Sequence, residues 1–208
     1  MSTSAQLREE TEAKGAEETT CYVVGGGPAG AMLALLLARQ GVEVTLLEAH
    51  GDFERDFRGD TLHASAMEIL DEIGLADRLL ELRHAKVRNF AVPTKGGQFT
   101  FDLFSGLKTI FPYIVVMAQS RFLEFITEAA KRYSNFRLVM GARVEELLEE
   151  DGVVRGVRYR GRDGWREVRA TLTVGADGRF SKVRRLAGFD PVKKSSPIDV
   201  LWFRISRR

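Results

Sequence analysis

The sequence holds a single cysteine, Cys21, so no disulfide can form within the chain and no cysteine-based metal site can be built. Its three histidines, His50, His63 and His84, fall at no spacing that would gather them on one metal ion. Neither sign of charge dominates. Thirty-one Lys plus Arg against 29 Asp plus Glu leave a net +2 with no basic stripe, which argues against a nucleic-acid surface. Long apolar runs are missing as well: the longest, Ala31 to Ala38, lies between Gly30 and Arg39 and falls far short of the ~20 residues of a membrane helix. The opening MSTSAQLREETEAKGAEETT is rich in Glu and Thr and has no apolar core, so residues 1–19 read as a disordered tail and not as a signal peptide. These absences lead us to expect a metal-free protein of a reducing cytoplasmic setting, with no membrane span and no nucleic-acid partner.

What is present suits a folded α/β protein. The 208 residues are 44% hydrophobic and 29% charged, enough for one good core or two small ones. TTCYVV is a β-branched and aromatic run ending in glycines, AGAMLALLLARQ is built from strong helix formers and closed by Gly41, and VEVTLLE is a second apolar strand. Strand, turn, helix and strand in about 30 residues make a βαβ unit with parallel strands. Helical spacing returns in LHASAMEILDEIG and LADRLLEL, split by Gly74. KVRNFAV and QFTFDLF alternate as strands about Gly96-Gly97, a hairpin signal. YIVVMA, the helix QSRFLEFITEAAKRY and FRLVMG repeat the βαβ pattern. ARVEELLEED, GVVRGVRYRG and WREVRATLTVGAD then form a three-strand meander, turned at Asp151-Gly152 and Asp163-Gly164, whose last strand ends in a buried TLTVGAD. SKVRRLAG is a short helix and DVLWFRI a further strand.

The chemistry begins at YVVGGGPAG. Gly25-x-Gly27-x-x-Gly30 has a strand before it and a helix after it, where Gly25 permits the turn, Gly27 lets a pyrophosphate approach the backbone and Gly30 lets helix and strand touch. Pro28 and Ala29 open a helix whose N-terminus offers N–H donors and partial positive charge to phosphates. Glu48, 18 residues beyond Gly30 at the end of the next strand, suits the ribose hydroxyls and would repel a 2′-phosphate. FAD or NAD is the expected ligand of this turn. GADGRFSKVRRLAG sets Asp177-Gly178 at a strand end before a helix bearing Arg184 and Arg185. Read on its own, Asp177 is equally a turn residue and the arginines a solvated face.

Taken together, GGGPAGAMLALLLARQGVEVTLLE, RGDTLHASAMEILDEIGL, MAQSRFLEFITEAA, VGADGRFSKVRRLAG and IDVLWFRI resemble the FAD-dependent aromatic hydroxylases, the class A flavin monooxygenases of the p-hydroxybenzoate hydroxylase type. The likeness runs from about Tyr22 to the last residue. It implies a Rossmann-like FAD-binding domain, three-layered with a mostly parallel sheet plus a β-meander, at 20–83 and 119–189, and a partial β-rich substrate domain at 84–118 and 190–208. It implies noncovalent FAD with its ADP half on Gly25–Gly30 and Glu48. It further implies that Arg58, Gly59 and Asp60 line the flavin and its phosphates, that Gln119 and Arg121 approach it, that Val144 belongs to the cofactor-binding set, and that Asp177-Gly178 serves both FAD and the pyridine nucleotide. The reaction implied is hydroxylation of an aromatic or phenolic small molecule with NAD(P)H and O2.

The family continues with more strands of the substrate sheet, a second Gly-Asp motif and C-terminal helices, and no GDA-type motif follows residue 178. The resemblance therefore implies an N-terminal half, completed by a C-terminal half or by self-association. A non-catalytic FAD-binding remnant, or a reductase or halogenase of the same superfamily, stays open beside the monooxygenase. No residue is assigned to proton transfer. His63 opens a helix, where a capping neighbour is the commoner role, and Ser181 lacks the G-x-S-x-G setting of a hydrolase nucleophile. Phe99, Phe101, Phe104, Phe111 and Tyr113 suit a core better than a pocket, and Cys21 is expected to be buried and inert.

Overall fold

The computed structural model describes residues 17–54, 61–102 and 104–192. Arg58, Gly59 and Asp60, nearly all of the expected tail and the expected strand in DVLWFRI lie outside them. The described residues fall into two units: 17–53 with 123–192, and 54 with 61–102 and 104–122.

The first unit is built on a six-stranded sheet in the order β8-β2-β1-β11-β10-β9. Its strands are β1 (Glu17–Val24), β2 (Val44–Glu48), β8 (Phe136–Met140), β9 (Arg143–Glu150), β10 (Val153–Gly161) and β11 (Gly164–Gly175). β8, β2, β1 and β11 run parallel, while β9 and β10 join antiparallel. The expected α/β class, mostly parallel with a meander, is what forms. The two roles foreseen for WREVRATLTVGAD fall to one strand: Trp165 to Arg169 pair antiparallel with β10, and Val168 to Gly175 pair parallel with β1. β1 begins at Glu17, inside the stretch whose composition suggests a tail, because β11 is long enough to pair with Glu17, Glu18 and Thr19.

Cys21 to Val24 of β1 and all of β2 are buried on both faces, as parallel central strands require. Tyr22 and Val24 point into a core of Leu47, Val144, Val157, Tyr159, Val168 and Val183. Alternation puts Cys21 and Val23 on the other face. There helix α1 (Pro28–Arg39) packs on β1, β2 and β8, burying Leu35 together with Ala31, Ala34 and Ala38, small residues that let helix and sheet approach. Asn135 ties the end of this helix to the start of β8, its Nδ2 donating to Ala38 O at 2.9 Å and Val42 O at 2.8 Å. The end of β11 is less covered than TLTVGAD suggests. Leu172 lies opposite Cys21 yet is 54% exposed, since α1 packs on β1, β2 and β8. The thiol of Cys21 is buried, which raises its pKa and keeps it protonated, as an inert strand cysteine should be.

The second unit holds α2 (Ala64–Glu72), α3 (Ala76–Leu80) and a three-stranded sheet of β3 (Thr61–Leu62), β7 (Ile114–Val116) and β4 (Ala85–Val87), with β7 in the middle and antiparallel to both neighbours. YIVVMA is therefore not the first strand of a second βαβ repeat: its partners are β3 and β4, while β8 pairs with β2. KVRNFAV divides at Arg88 into β4 and β5 (Asn89–Thr94), and β5 forms a ribbon with β6 (Gly97–Asp102). The hairpin turn is Lys95-Gly96, one residue earlier than the Gly-Gly pair suggests. Phe90 pairs with Phe101 and Val92 with Phe99, so all four share one face, and all four are exposed. Phe99 and Phe101 thus depart from the expected core role, because within the described residues the ribbon carries no covering layer. Phe111 and Tyr113 are buried. No described helix is long and apolar enough to cross a membrane.

Candidate functional site

The site lies where β1 ends. Gly25, Gly26 and Gly27 carry the chain from Val24 into α1, and each glycine answers to a different neighbour. Gly25 has φ +109°. Its N–H donates to Leu47 O at 2.7 Å, and the loop after β11 crosses over it so closely that a Cβ would stand 2.5 Å from Ala176 O. At Gly30 a Cβ would lie 1.9 Å from Gly25 O. Those two glycines are demanded by the fold. Gly27 is not: its φ is −70° and a Cβ there would meet nothing within 4 Å. A glycine in ordinary backbone, facing open space, leaves a cradle that any side chain would fill. It is also the N-cap of α1, which no side chain caps and whose first turn holds no acid, so the helix end presents its N–H groups and positive dipole to that space. Pro28 occupies the first helical position and Ala29 the next. This arrangement fits a pyrophosphate.

Glu48, 7% exposed, closes the other side. Its Oε2 accepts the Gly26 N–H at 2.8 Å, and its Oε1 accepts the His50 N–H at 2.9 Å. The ring Nδ1 of His50 lies 2.7 Å from the same Oε1. The acid expected to await a ribose is thus already fixed in place by two backbone groups and one ring. Gly26, an unspecified position of the glycine pattern, proves necessary, because a Cβ there would stand 2.9 Å from the Cβ and Oε2 of Glu48. Neither Gly26 nor His50 was legible as a site residue. The GGG run was the available signal for the first, and the i+2 spacing from Glu48 at a strand end for the second.

The Asp177-Gly178 element comes to the same place: Ala176 N–H donates to Val24 O at 2.7 Å, and the Asp177 Cα would lie 2.7 Å from a Gly25 Cβ. The Asp177 side chain itself serves the next helix, α5 (Lys182–Leu186). Its Oδ2 accepts the N–H of Lys182 at 2.6 Å and of Val183 at 3.1 Å, and its Oδ1 accepts the Ser181 hydroxyl. Ser181 Oγ in turn accepts the Arg184 N–H at 3.0 Å. Asp177 and Ser181 are the cap of α5, so a cofactor would meet the backbone of Asp177-Gly178. Asp177→Ala is expected to lower the unfolding free energy by about 1–2 kcal/mol, read as a shift of the urea midpoint at unchanged slope. Arg184 is not simply solvated: its Nη2 donates to Arg179 O at 2.9 Å. Arg185 is exposed, as a solvated helix face would have it.

Val144 pairs with Tyr159 in the sheet and its side chain belongs to the core. Gln119 and Arg121 open α4 (Gln119–Ala130) in the residues of the second unit, where Arg121 Nη1 donates to Arg83 O at 3.0 Å. The first unit therefore brings together Gly25, Gly27, Pro28, Ala29, Gly30, Glu48, Asp177 and Gly178, with Val144 buried in its core.

The FAD binding domain family matches residues 18–207. The chain is 35% identical over 196 residues to 6-methylpretetramide 4-monooxygenase of Streptomyces rimosus, covering 93% of this chain and 46% of that protein. It is 33% identical over 187 residues to squalene epoxidase 4 of Arabidopsis thaliana, covering 88% of this chain and 36% of that protein. Among solved structures, p-nitrophenol 4-monooxygenase PnpA of Pseudomonas putida DLL-E4 superimposes with a TM-score of 0.74 at 28% identity, over 83% of this chain and 44% of that one. The chain thus spans about half the length, or less, of the relatives it matches.

Proposed function

The chain belongs to the FAD-binding domain family of flavin-dependent monooxygenases, and from that membership we propose that its first unit holds FAD noncovalently for an NAD(P)H- and O2-dependent monooxygenase acting on an aromatic small molecule. The observation that carries the proposal is the open space above Gly27 at the uncapped end of α1. The pyrophosphate of FAD would take the N–H groups of that helix end, and its adenosine ribose the Glu48 carboxylate. The backbone of Asp177-Gly178 is the second contact, shared with the pyridine nucleotide. Arg58, Gly59, Asp60, Gln119 and Arg121 are assigned to the flavin half. When bound, FAD supplies the redox chemistry with O2, and the chain's residues supply binding and orientation.

An aromatic substrate is the reading supported by relatives that are named for 6-methylpretetramide and p-nitrophenol. Epoxidation of a carbon–carbon double bond is the second reading, favoured by the squalene epoxidase relative. Glu48→Gln keeps the shape of the side chain and removes its charge. It is expected to weaken FAD binding about tenfold, the worth of one charge-assisted hydrogen bond, and Glu48→Lys more. Fluorescence titration with FAD reads both. Unchanged affinity in both variants would remove Glu48 from the site.

A further inference from the structure

We propose that His50 is a positioning residue for cofactor recognition: its ring holds Glu48 in the orientation that receives the ribose of an adenine nucleotide. The inference rests on the FAD reading above and adds to it a residue outside the glycine–acid pattern. Glu48 ends β2, and the chain turns at once. His50 O accepts the Gly141 N–H at 2.8 Å and Glu48 O accepts the Ala142 N–H at 2.8 Å, so the backbone on both sides of the turn is fixed to the link between β8 and β9. From this fixed backbone the His50 N–H and the ring Nδ1 both reach Glu48 Oε1, at 2.9 and 2.7 Å. An ionised carboxylate only accepts, so Nδ1 carries the proton and Nε2 faces outward.

The other carboxylate oxygen is held by Gly26 N–H. The two oxygens are thus pinned by different elements, the glycine turn on one side and His50 on the other, which fixes the plane of the carboxylate. That is the property ribose recognition needs, because a carboxylate free to rotate would lose conformational entropy each time a ligand bound. The His50 side chain is 58% exposed while that of Glu48 is 10% exposed. The ring therefore stands at the mouth of the site with its partner behind it, and replacing it leaves the core untouched.

The test uses the whole chain and measures dissociation constants for FAD, ADP and 2′-deoxy-ADP. His50→Leu is expected to weaken FAD and ADP by the same factor, about five- to tenfold, and to weaken 2′-deoxy-ADP, which keeps one of the two hydroxyls, by a clearly smaller factor. His50→Asn, whose Nδ2 can stand where Nδ1 stood, should restore most of the loss, and His50→Gln should not. In a Glu48→Gln background His50→Leu should add almost nothing, since its route to the ligand is gone. If wild type binds FAD and ADP while His50→Leu binds them equally well, or weakens 2′-deoxy-ADP as much as ADP, the positioning role is overturned and the FAD reading stands. If wild type binds neither nucleotide, both fall.

Discussion

Gly27→Val is expected to abolish FAD binding while leaving the protein folded. Among the described residues nothing lies within 4 Å of where a Gly27 Cβ would stand and its φ is −70°, so the Cβ of a valine has room there and needs no strained backbone. The cost to folding is the preference for glycine over valine at an N-cap, no more than about 1 kcal/mol. The cost to binding is large, because the new methyl groups stand where a pyrophosphate would rest on the helix N–H groups. A loss of at least about 100-fold, near 2.7 kcal/mol, is expected. Thermal unfolding and FAD titration on the same preparation separate the two effects. A Gly27→Val protein that binds FAD as wild type does would show that the open space is not the phosphate cradle.

Gly30→Ala, one turn further along the helix, should do the reverse. Its Cβ would stand 1.9 Å from Gly25 O, and behind that oxygen lies the loop of Ala176 and Asp177. Nothing there is the far end of a flexible side chain, so the helix must lift from the strand. The expected loss is about 3 kcal/mol or more, at the upper end of what overpacking costs. A domain of ordinary stability has only some 5–15 kcal/mol to lose, and FAD binding would fall with it. Added FAD should recover part of the melting temperature in Gly30→Ala by mass action and none in Gly27→Val. Equal stability of Gly30→Ala and wild type would contradict the packing described at this turn.

This contrast shows what the sequence could and could not tell. The pattern at residues 25–30 with an acid at residue 48 was legible, because strand, turn and helix in that order leave few alternatives for the glycines. The turn duty of Gly25 and the packing duty of Gly30 were legible in it. Gly26 escaped because its need arises from Glu48, a contact between elements 22 residues apart. His50, only two residues from Glu48, escaped for a different reason: its ring reaches back to the carboxylate only because the chain turns directly after β2. Asp177 was visible as a residue of interest, but its division of labour, side chain to α5 and backbone to the Gly25 turn, depends on how the end of β11 crosses β1.

Among the strands, periodicity identified extended segments well and their partners poorly. YIVVMA looks identical whether it joins the parallel sheet or stands between β3 and β4. KVRNFAV gives no sign that Arg88 divides it between two sheets. The Asp151-Gly152 turn was legible because both residues must take positive φ, +51° and +74°, and that demand is written in the residue types.

The most direct test of the central claim, that the first unit cradles FAD, is the visible absorbance of the purified chain before and after addition of FAD, with tryptophan fluorescence to count sites. Flavin bands that survive gel filtration, or return on adding FAD at one per chain and vanish in Gly27→Val, are the expected result. A chain that melts cooperatively, yet neither retains flavin nor responds to FAD or ADP, would contradict the account.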